Sequence, residues 1–372
     1  MSKLEELIQQ YCPDGVEYVK LGDIEGQGYI KLGRGNVISK QDMKDCPGDF
    51  PVYSSSSVGD GEIGRYGKYM FDDERISWSI DGGGKFFYRN NLRYSITNVS
   101  GWLKVLAPKV VSTKYLYYTL MNEWVKKVYD YTHKAHPSVI REEYIIPIPP
   151  LPVQEEIVRI LDAFAELQAE LQAELQKRLQ QYNYYRDKLL SFDGRTDVEW
   201  KKLGEISKVC RGVRVVKSQL SNEGYPVYQN CLTPMGYYDK TNCPAGTPFV
   251  ICGGAAGNVG YADVDWWAAD DCEYIIGNAG LTNRYIYHCL MAKKDYLLSQ
   301  VRKASIPRLS PSLIKDLDIP VPSLAEQQRI VDILDMFDSL TTDLTAGLPA
   351  EIEKRKLQYE YYRDKLLTFK RK

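Results

Sequence analysis

The sequence is poor in histidine, with three in 372 residues, and its formal net charge is −1. So few imidazoles leave little from which to build a histidine-ligated metal centre. A near-neutral balance counts against a chain that holds nucleic acid by its own charge, since such chains carry a basic excess, although local patches and partner chains can supply the positive field. The eight cysteines, Cys12, Cys46, Cys210, Cys231, Cys243, Cys252, Cys272 and Cys289, form no CxxC pair and have no histidine cluster beside them. They read as reduced, mostly buried thiols rather than disulfides or zinc ligands. No apolar run reaches the ~18–20 residues of a membrane span, and the opening MSKLEELIQQ is polar and helical, unlike a signal peptide. The expectation is a cytoplasmic chain of two or three domains, with 44% hydrophobic and 12% aromatic residues to fill their cores.

Catalytic motifs are missing too. There is no GxSxG, no HExxH, no EF-hand loop and no NPPY-type tetrapeptide of an adenine methyltransferase; the proline pairs belong to IPIPP. GGAAGNVG (253–260) follows the apolar PFVIC as a dinucleotide fingerprint would. Its glycines do not spell GxGxxG, and the YADVDWWAADD behind it is hairpin-like where that motif requires a helix. DGGGK (81–85) lacks the Walker spacing, and GRG (33–35) reads as a turn. Asp72, Asp73, Glu74 and Lys85 are the set a metal-dependent nuclease would use, and more simply a turn with a solvated charge run.

What is present is a chain written twice. VQEEIVRILDAF (153–164) matches AEQQRIVDILDMF (325–337), with an offset of 173 between Ile157 and Ile330. YYRDKLLSF (184–192) matches YYRDKLLTF (361–369) at an offset of 177, so the second copy has gained four residues in between. Weaker echoes are KLGDI/KLGEI (20–24, 202–206), FPVYS/YPVYQ (50–54, 225–229), KYLYYTL/RYIYHCL (114–120, 284–290) and IPIPPL/IPVPSL (146–151, 319–324). The order is globule, helix, globule, helix, from duplication of a unit of roughly half the chain.

From Gln154 to Phe192 there is neither proline nor glycine. One side carries Ile157, Leu161, Phe164, Leu167, Leu171, Leu175, Leu179, Tyr182, Tyr185 and Leu189. This pattern predicts one helix of about 39 residues, a rod of roughly 58 Å. Within it the word AELQ is said three times (165–176). Each four-residue unit is a stutter that keeps a leucine on the seam while lengthening the rod, so the rod reads as a spacer. The second rod, about Glu326 to Phe369, carries Ile330, Leu334, Phe337, Tyr362 and Leu366 and is interrupted at AGLPAE (346–351), where Gly347 and Pro349 predict a short helix, a break and a longer helix. An exposed apolar stripe needs a partner, and each rod's natural partner is its repeat, packed antiparallel about a pseudo-twofold axis.

The globules, 16–150 and 198–322, alternate aromatic and β-branched residues with glycine turns, for example over 48–71, and predict many short strands. Each adds a helix (112–128, 281–301) and a proline-rich exit that reads as a stiff linker. Basic and amide residues recur in their glycine-rich loops. In the first these are Lys31, Arg34, Asn36, Lys40, Lys85, Arg89, Arg93, His133 and Lys134, with His136 and Arg141 beyond; in the second they are Lys208, Arg211, Arg214, Lys217, Gln229, Asn230, Arg302, Lys303 and Arg308. Arginine reads guanine bidentately, lysine and histidine bind phosphate, and asparagine or glutamine reads adenine. Singly, each is an ordinary surface charge; their clustering at matched positions of two related globules marks them as candidate DNA contacts.

PLPVQEEIVRILDAF…YYRDKLLSF and PSLAEQQRIVDILDMF…GLPAEIEKRKLQYEYYRDKLLTF, with the KLGDI/KLGEI pair, AGNVGYAD and IPRLSPSLIKDLDIPVP, resemble the specificity subunits of type I restriction-modification systems. The resemblance covers essentially the whole chain. It implies an α+β fold in which two mixed α/β target-recognition domains are separated by two long conserved helices packed as an antiparallel coiled coil. The implied boundaries are 1–152, 153–193, 194–324 and 325–372. It also implies a chain with no catalysis, metal or cofactor of its own. Each domain would read half of a split, asymmetric site in double-stranded DNA. The helices would set the gap and dock two methyltransferase subunits that use S-adenosylmethionine, and up to two endonuclease-translocase subunits that use ATP and Mg would complete the complex. The rival reading is a coiled-coil protein scaffold without DNA specificity.

Overall fold

The computed structural model describes residues 2–55, 59–90, 92–130, 132–342 and 346–372. Residues 56–58, inside the strand-like stretch 48–71, and Tyr131, at the head of YTHKAHPSVIR, lie outside the described residues. The first half runs α1 (Lys3–Tyr11), β1 (Tyr18–Lys20), α2 (Leu21–Gly26), β2 (Ile30–Arg34), α3 (Lys40–Asp45), β3 (Phe50–Tyr53), β4 (Glu62–Tyr66), β5 (Arg75–Ser79), β6 (Phe86–Arg89), β7 (Ser95–Ile96), β8 (Ser100–Val105), α4 (Thr113–Trp124), α5 (Pro137–Glu143), β9 (Ile145–Pro147) and α6 (Leu151–Ser191). The second half runs β10 (Glu199–Lys202), α7 (Leu203–Ile206), β11 (Ser207–Arg211), β12 (Tyr225–Tyr228), β13 (Tyr237–Tyr238), β14 (Thr247–Ile251), β15 (Val259–Ala262), β16 (Trp267–Ala268), β17 (Cys272–Gly277), α8 (Asn283–Ala292), α9 (Lys294–Ser299), α10 (Pro311–Lys315), β18 (Asp318–Val321), α11 (Leu324–Thr342) and α12 (Leu348–Leu366). No helix among the described residues is long and apolar enough to cross a membrane.

Two compact units result: residues 1–170 with 353–372, and residues 171–352. Unit 1 holds a four-stranded sheet in the order β2-β8-β5-β6, a three-stranded sheet β4-β3-β7 and the pair β1-β9. Unit 2 repeats this strand for strand, with β11-β17-β14-β15, β13-β12-β16 and β10-β18. Even the parallel pairings correspond, β3 with β7 and β12 with β16. The proline-rich exits prove to be more than linkers: Ile145–Pro147 pairs antiparallel with β1, and Asp318–Val321 with β10. Proline is tolerated in such two-stranded edges because a strand there needs few of its N–H groups. The helix expected over 281–301 is two, α8 and α9, meeting at Lys293.

α6 is one uninterrupted helix of 41 residues. Pro152 lies in its first turn, where a missing N–H costs nothing. It ends at Ser191; beyond it Phe192 takes φ 50 and Gly194 φ 75. The second rod differs from expectation: α11 and α12 have 19 residues each, not a short helix and a longer one. Pro349 sits in the first turn of α12, so the helix restarts as early as Leu348.

The rods pair antiparallel within each unit. In unit 2 the Tyr185 ring stacks on Phe337 at 5.6 Å, and Arg195, just beyond α6, reaches back to Glu326 near the start of α11. In unit 1 Phe164 stacks on Tyr362 at 5.5 Å. The repeat offsets make these one contact formed twice with the roles of the rods exchanged. Along the seam Ile157, Leu161, Ile330 and Leu334 are fully buried and Tyr182 nearly so. Leu167, Leu171, Leu175 and Leu179 are half-buried. Leu189 and Leu366 are only half-buried, because the next residues, Leu190 and Leu367, are the ones that enter the core.

Two further contacts tie rod to globule in both units. Gln154, fully buried, accepts from the Ser112 N–H and donates to the Val110 and Pro149 carbonyls. Gln327 does the same with Thr282, Gly280 and Pro322. Asp162 on α6 accepts from Lys114 (2.7 Å) and Tyr118 (2.6 Å) of α4. Asp335 on α11 accepts from Arg284 and His288 of α8, both at 2.7 Å, and Arg284 also reaches Asp338.

Candidate nucleic-acid interface

The loops bearing the candidate residues are held by matched backbone geometry. At the exit of β2, Arg34 donates from Nε and Nη2 to the Asn98 carbonyl, and the Gly35 N–H bonds Ser100. At the exit of β11, Arg211 Nε donates to the Asp270 carbonyl, and the Gly212 N–H bonds Cys272. A Cβ on Gly35 would overlap the Ile96 and Thr97 carbonyls, and one on Gly212 those of Ala268 and Ala269. The repeated Arg-Gly pair is therefore a clip locking one strand exit onto the loop beside it, and this explains why both globules open alike. The two arginines stay exposed, but each already has an acceptor within the chain. Asn36 and Lys40, and Arg214 and Lys217, follow the clips and are exposed; Lys31 and Lys208 are exposed on β2 and β11.

A second site gathers three loops that are distant in sequence. In unit 2 the Gly254 N–H bonds the Pro307 carbonyl and the Ala255 N–H bonds Asn230, while Arg302 and Arg308 exchange backbone hydrogen bonds across a tight loop. The glycines of GGAAG make this closure possible. Gly254 has φ +83 with the Asn230 backbone where a Cβ would go, and Gly253 faces the Asp271 carboxylate. GGAAGNVG is thus the turn of the β14–β15 hairpin, brought against Asn230, Arg302, Lys303 and Arg308. Arg308 is ion-paired to Asp271 at 3.1 Å, and Gln229 donates to the Asp270 side chain, so Asp270 joins this cluster to the Arg211 clip. Arg302, Lys303 and Asn230 are exposed.

Unit 1 builds the same mouth from Ser55, the 80–85 turn and the 133–136 loop. Ser55 Oγ accepts the Asp81 N–H, the Ala135 N–H bonds Ile80, and Trp78 Nε1 donates to the Ala135 carbonyl. Lys134 pairs with Asp81 at 3.0 Å, His133 pairs with Glu143 and stacks on Tyr129, and Lys85 lies over the Phe87 ring. Burial, with the Arg34 and Arg141 guanidiniums beside it, pulls His136 below the usual histidine range. Arg93 is exposed over the Tyr69 ring.

Two residues leave the candidate set. Arg89 is 5% exposed, stacked on Tyr53 and bonded to Ser77 and the Asp60 carbonyl; it builds the core between two sheets. Arg141 is bonded to Glu25. Of the nuclease-like acids, Asp73 pairs with Arg75 and Lys104, and Glu74 accepts from Tyr88. Among the described residues no three His, Cys, Asp or Glu side chains come together to hold a metal ion. Sequence reasoning missed the clip acceptors Asn98 and Asp270 and the buried Gln154 and Gln327; the glutamines carried a signal, being identical at the 173 offset.

With this geometry in view, the likeness to known proteins is extensive. The family model described as the type I restriction modification DNA specificity domain matches twice, over residues 13–181 and 196–354. The specificity subunit of a type I restriction enzyme of Escherichia coli is 36% identical over 291 residues, covering 69% of this chain and 70% of that one. A putative type I specificity subunit of Mycoplasma pneumoniae is 30% identical over 352 residues, covering 91% of this chain and 95% of that one. The crystal structure of the type I restriction-modification S subunit from M. genitalium superposes with a TM-score of 0.67 at 18% identity, over 95% of this chain and 96% of that one, a likeness of fold.

Proposed function

This chain belongs to the family of type I restriction-modification specificity subunits, and on that premise we propose that each globule reads one half of a split, asymmetric site in double-stranded DNA. The observation that carries the reading is the repetition of one frame with different contents. Sheets, clip and three-loop mouth recur in both units, yet the exposed positions beyond the clip differ. Asn36 and Val37 in unit 1 stand where Val213 and Arg214 stand in unit 2, and Lys85, His133 and Lys134 face one mouth where Asn230, Arg302 and Lys303 face the other. Shared backbone with altered side chains is the arrangement that reads two different half-sites, because phosphate contacts position a domain and base-edge contacts specify it.

The chain itself performs no chemistry in this reading. Two methyltransferase subunits dock on the rods and carry S-adenosylmethionine, and up to two endonuclease subunits add ATP- and Mg-dependent cleavage. Those partners also supply much of the positive field that a chain of net charge −1 lacks. The test is to co-express the chain with its cognate methyltransferase and map modified adenines across a host genome by single-molecule sequencing. The expected result is one asymmetric motif split by a fixed gap. A stable complex that leaves no motif would instead favour the scaffold reading.

A further inference from the structure

Behind the Arg-Gly clip of each globule come two exposed residues and then an anchor. After Gly212, Val213 and Arg214 precede Val215, which is buried against Val227 and Ala269. After Gly35, Asn36 and Val37 precede the half-buried Ile38. The first residue of each pair is pinned by its backbone. The Asn36 N–H bonds the Ile96 carbonyl at the end of β7, and the Val213 N–H bonds the Ala268 carbonyl at the end of β16. The Val213 carbonyl also accepts from Trp267 Nε1 at 2.8 Å. Each unit therefore presents two side chains from a backbone fixed on both sides.

Several polar side chains around these pairs are already engaged. Arg34, Arg211 and Gln229 all have acceptors within the chain. The Asn36 amide and the Arg214 guanidinium have no partner among the described residues. Each stands beside a bare valine: Val37 is 75% exposed and Val213 55%. One such valine is ordinary on a protein surface. Two of them, each next to an unbonded polar head at the same place in globules that otherwise differ, repeat one pairing of an apolar group with a hydrogen-bonding group. The order is reversed between the units, polar then apolar in unit 1 and apolar then polar in unit 2.

The major groove of DNA offers a match for each of these groups. An amide fits N6 and N7 of adenine, a guanidinium fits O6 and N7 of guanine, and the C5 methyl of thymine takes an apolar contact. Consecutive residues lie ~3.8 Å apart, close to the ~3.4 Å rise of a base pair. We propose that the two residues behind each clip read neighbouring base pairs in the major groove, Asn36 an adenine and Val37 a thymine methyl in one half-site, Val213 a thymine methyl and Arg214 a guanine in the other. Unit 1 then reads A·T pairs at both places, and unit 2 one A·T and one G·C. This assignment rests on the DNA reading above and names residues that carry it, two of them valines with no charge or hydrogen bond to offer.

The chain and its variants are co-expressed with the cognate methyltransferase, and modified adenines are mapped across the host genome. Asn36→Ala should relax one adenine of one half-site and Arg214→Ala one guanine of the other, each by about ten-fold or more in preference, with the remaining letters unchanged. The valines are tested by binding of the purified complex to duplexes in which each thymine of the motif in turn is replaced by deoxyuridine, which lacks only the methyl group. At one thymine the parent complex should bind about four-fold more weakly, the size of one buried methyl, and the Val37→Ala complex should show no such loss. Val213→Ala should do the same at a thymine of the other half-site. A misfolded variant would weaken binding to both duplexes alike and could not produce this pattern. Unchanged letters in Asn36→Ala and Arg214→Ala, loss of a whole half-site in either, or deoxyuridine losses that are absent from the parent or persist in both valine variants would overturn the assignment while leaving bipartite reading intact. A parent chain that yields no motif would overturn both.

Discussion

Gln327 touches three backbone groups at once, and they belong to the helix start of α8, the loop before it and the exit before α11. Buried backbone groups that lose their partner cost about 1–3 kcal/mol each time a site is broken. Gln327→Leu, which keeps the volume and removes the amide, should lower the urea-unfolding free energy by about 1–3 kcal/mol, and Gln154→Leu should do the same. Periodicity could not reveal this role, because an amide on an apolar stripe looks like an interruption of it; only the identity of the two copies marks it. Arg89 illustrates the opposite failure. The run Phe86, Phe87, Tyr88 has no alternation to tell which face of β6 points inward, so a buried arginine resembled its exposed neighbours. Arg302 and Lys303 are exposed cations at the unit 2 mouth. Replacing either by alanine in the methyltransferase-bound complex should weaken binding to all DNA and reduce the salt slope by about one, measured by titration at several salt concentrations.

At the scale of elements, the rods were legible and the sheets were not. Helical periodicity is local, and Gly347 and Pro349 marked the interruption correctly even though the lengths on either side came out equal. Strand pairing is decided by partners far away in sequence, such as β2 with β8 or β11 with β17. No stretch announces such a partner, and the Arg-Gly clip and the three-loop mouth become visible only once those pairings exist. What joins globule to rod is α8 on α11, and its polar centre is Asp335. Burial pushes that carboxyl upward, but the bonds from His288 and Arg284 outweigh it and hold the group below the usual aspartate range. The unfolded chain therefore takes up this proton first. The stabilising contribution is complete above the ordinary aspartate pKa of about 4 and is lost as the pH falls through the lower folded value. Asp335→Asn should destabilise unit 2 at pH 7 by urea denaturation, and the gap to the parent chain should close steadily below about pH 4. A gap that is the same at pH 3 and pH 7 would mean that the ionised carboxylate is not what holds α8 to α11.

For the whole molecule, the decisive feature is a helix that counts in fours. α6 runs unbroken from Leu151 to Ser191, and its three AELQ words straddle the division between the units at 170 and 171. One word adds ~6 Å of rise and about 40° beyond a full turn, from 1.5 Å and 3.6 residues per turn. Duplex DNA advances ~3.4 Å per base pair along a strand and turns about 35°. Rise alone would match nearly two base pairs and twist alone one. Deleting Ala169–Gln172 should therefore leave both half-sites of the methylated motif unchanged and shorten the gap by one or two base pairs, and inserting a fourth word should lengthen it equally. Leu167, Leu171, Leu175 and Leu179 fall on one stripe only at a spacing of four. Removing two residues instead turns everything beyond the cut by about 200° and takes the later leucines off that stripe, so this variant should lose methylation rather than acquire an intermediate gap. Both outcomes are read from the same genome-wide map of modified adenines. A four-residue deletion that methylates the original motif with the original gap would show that α6 connects the two reading heads without measuring the distance between them.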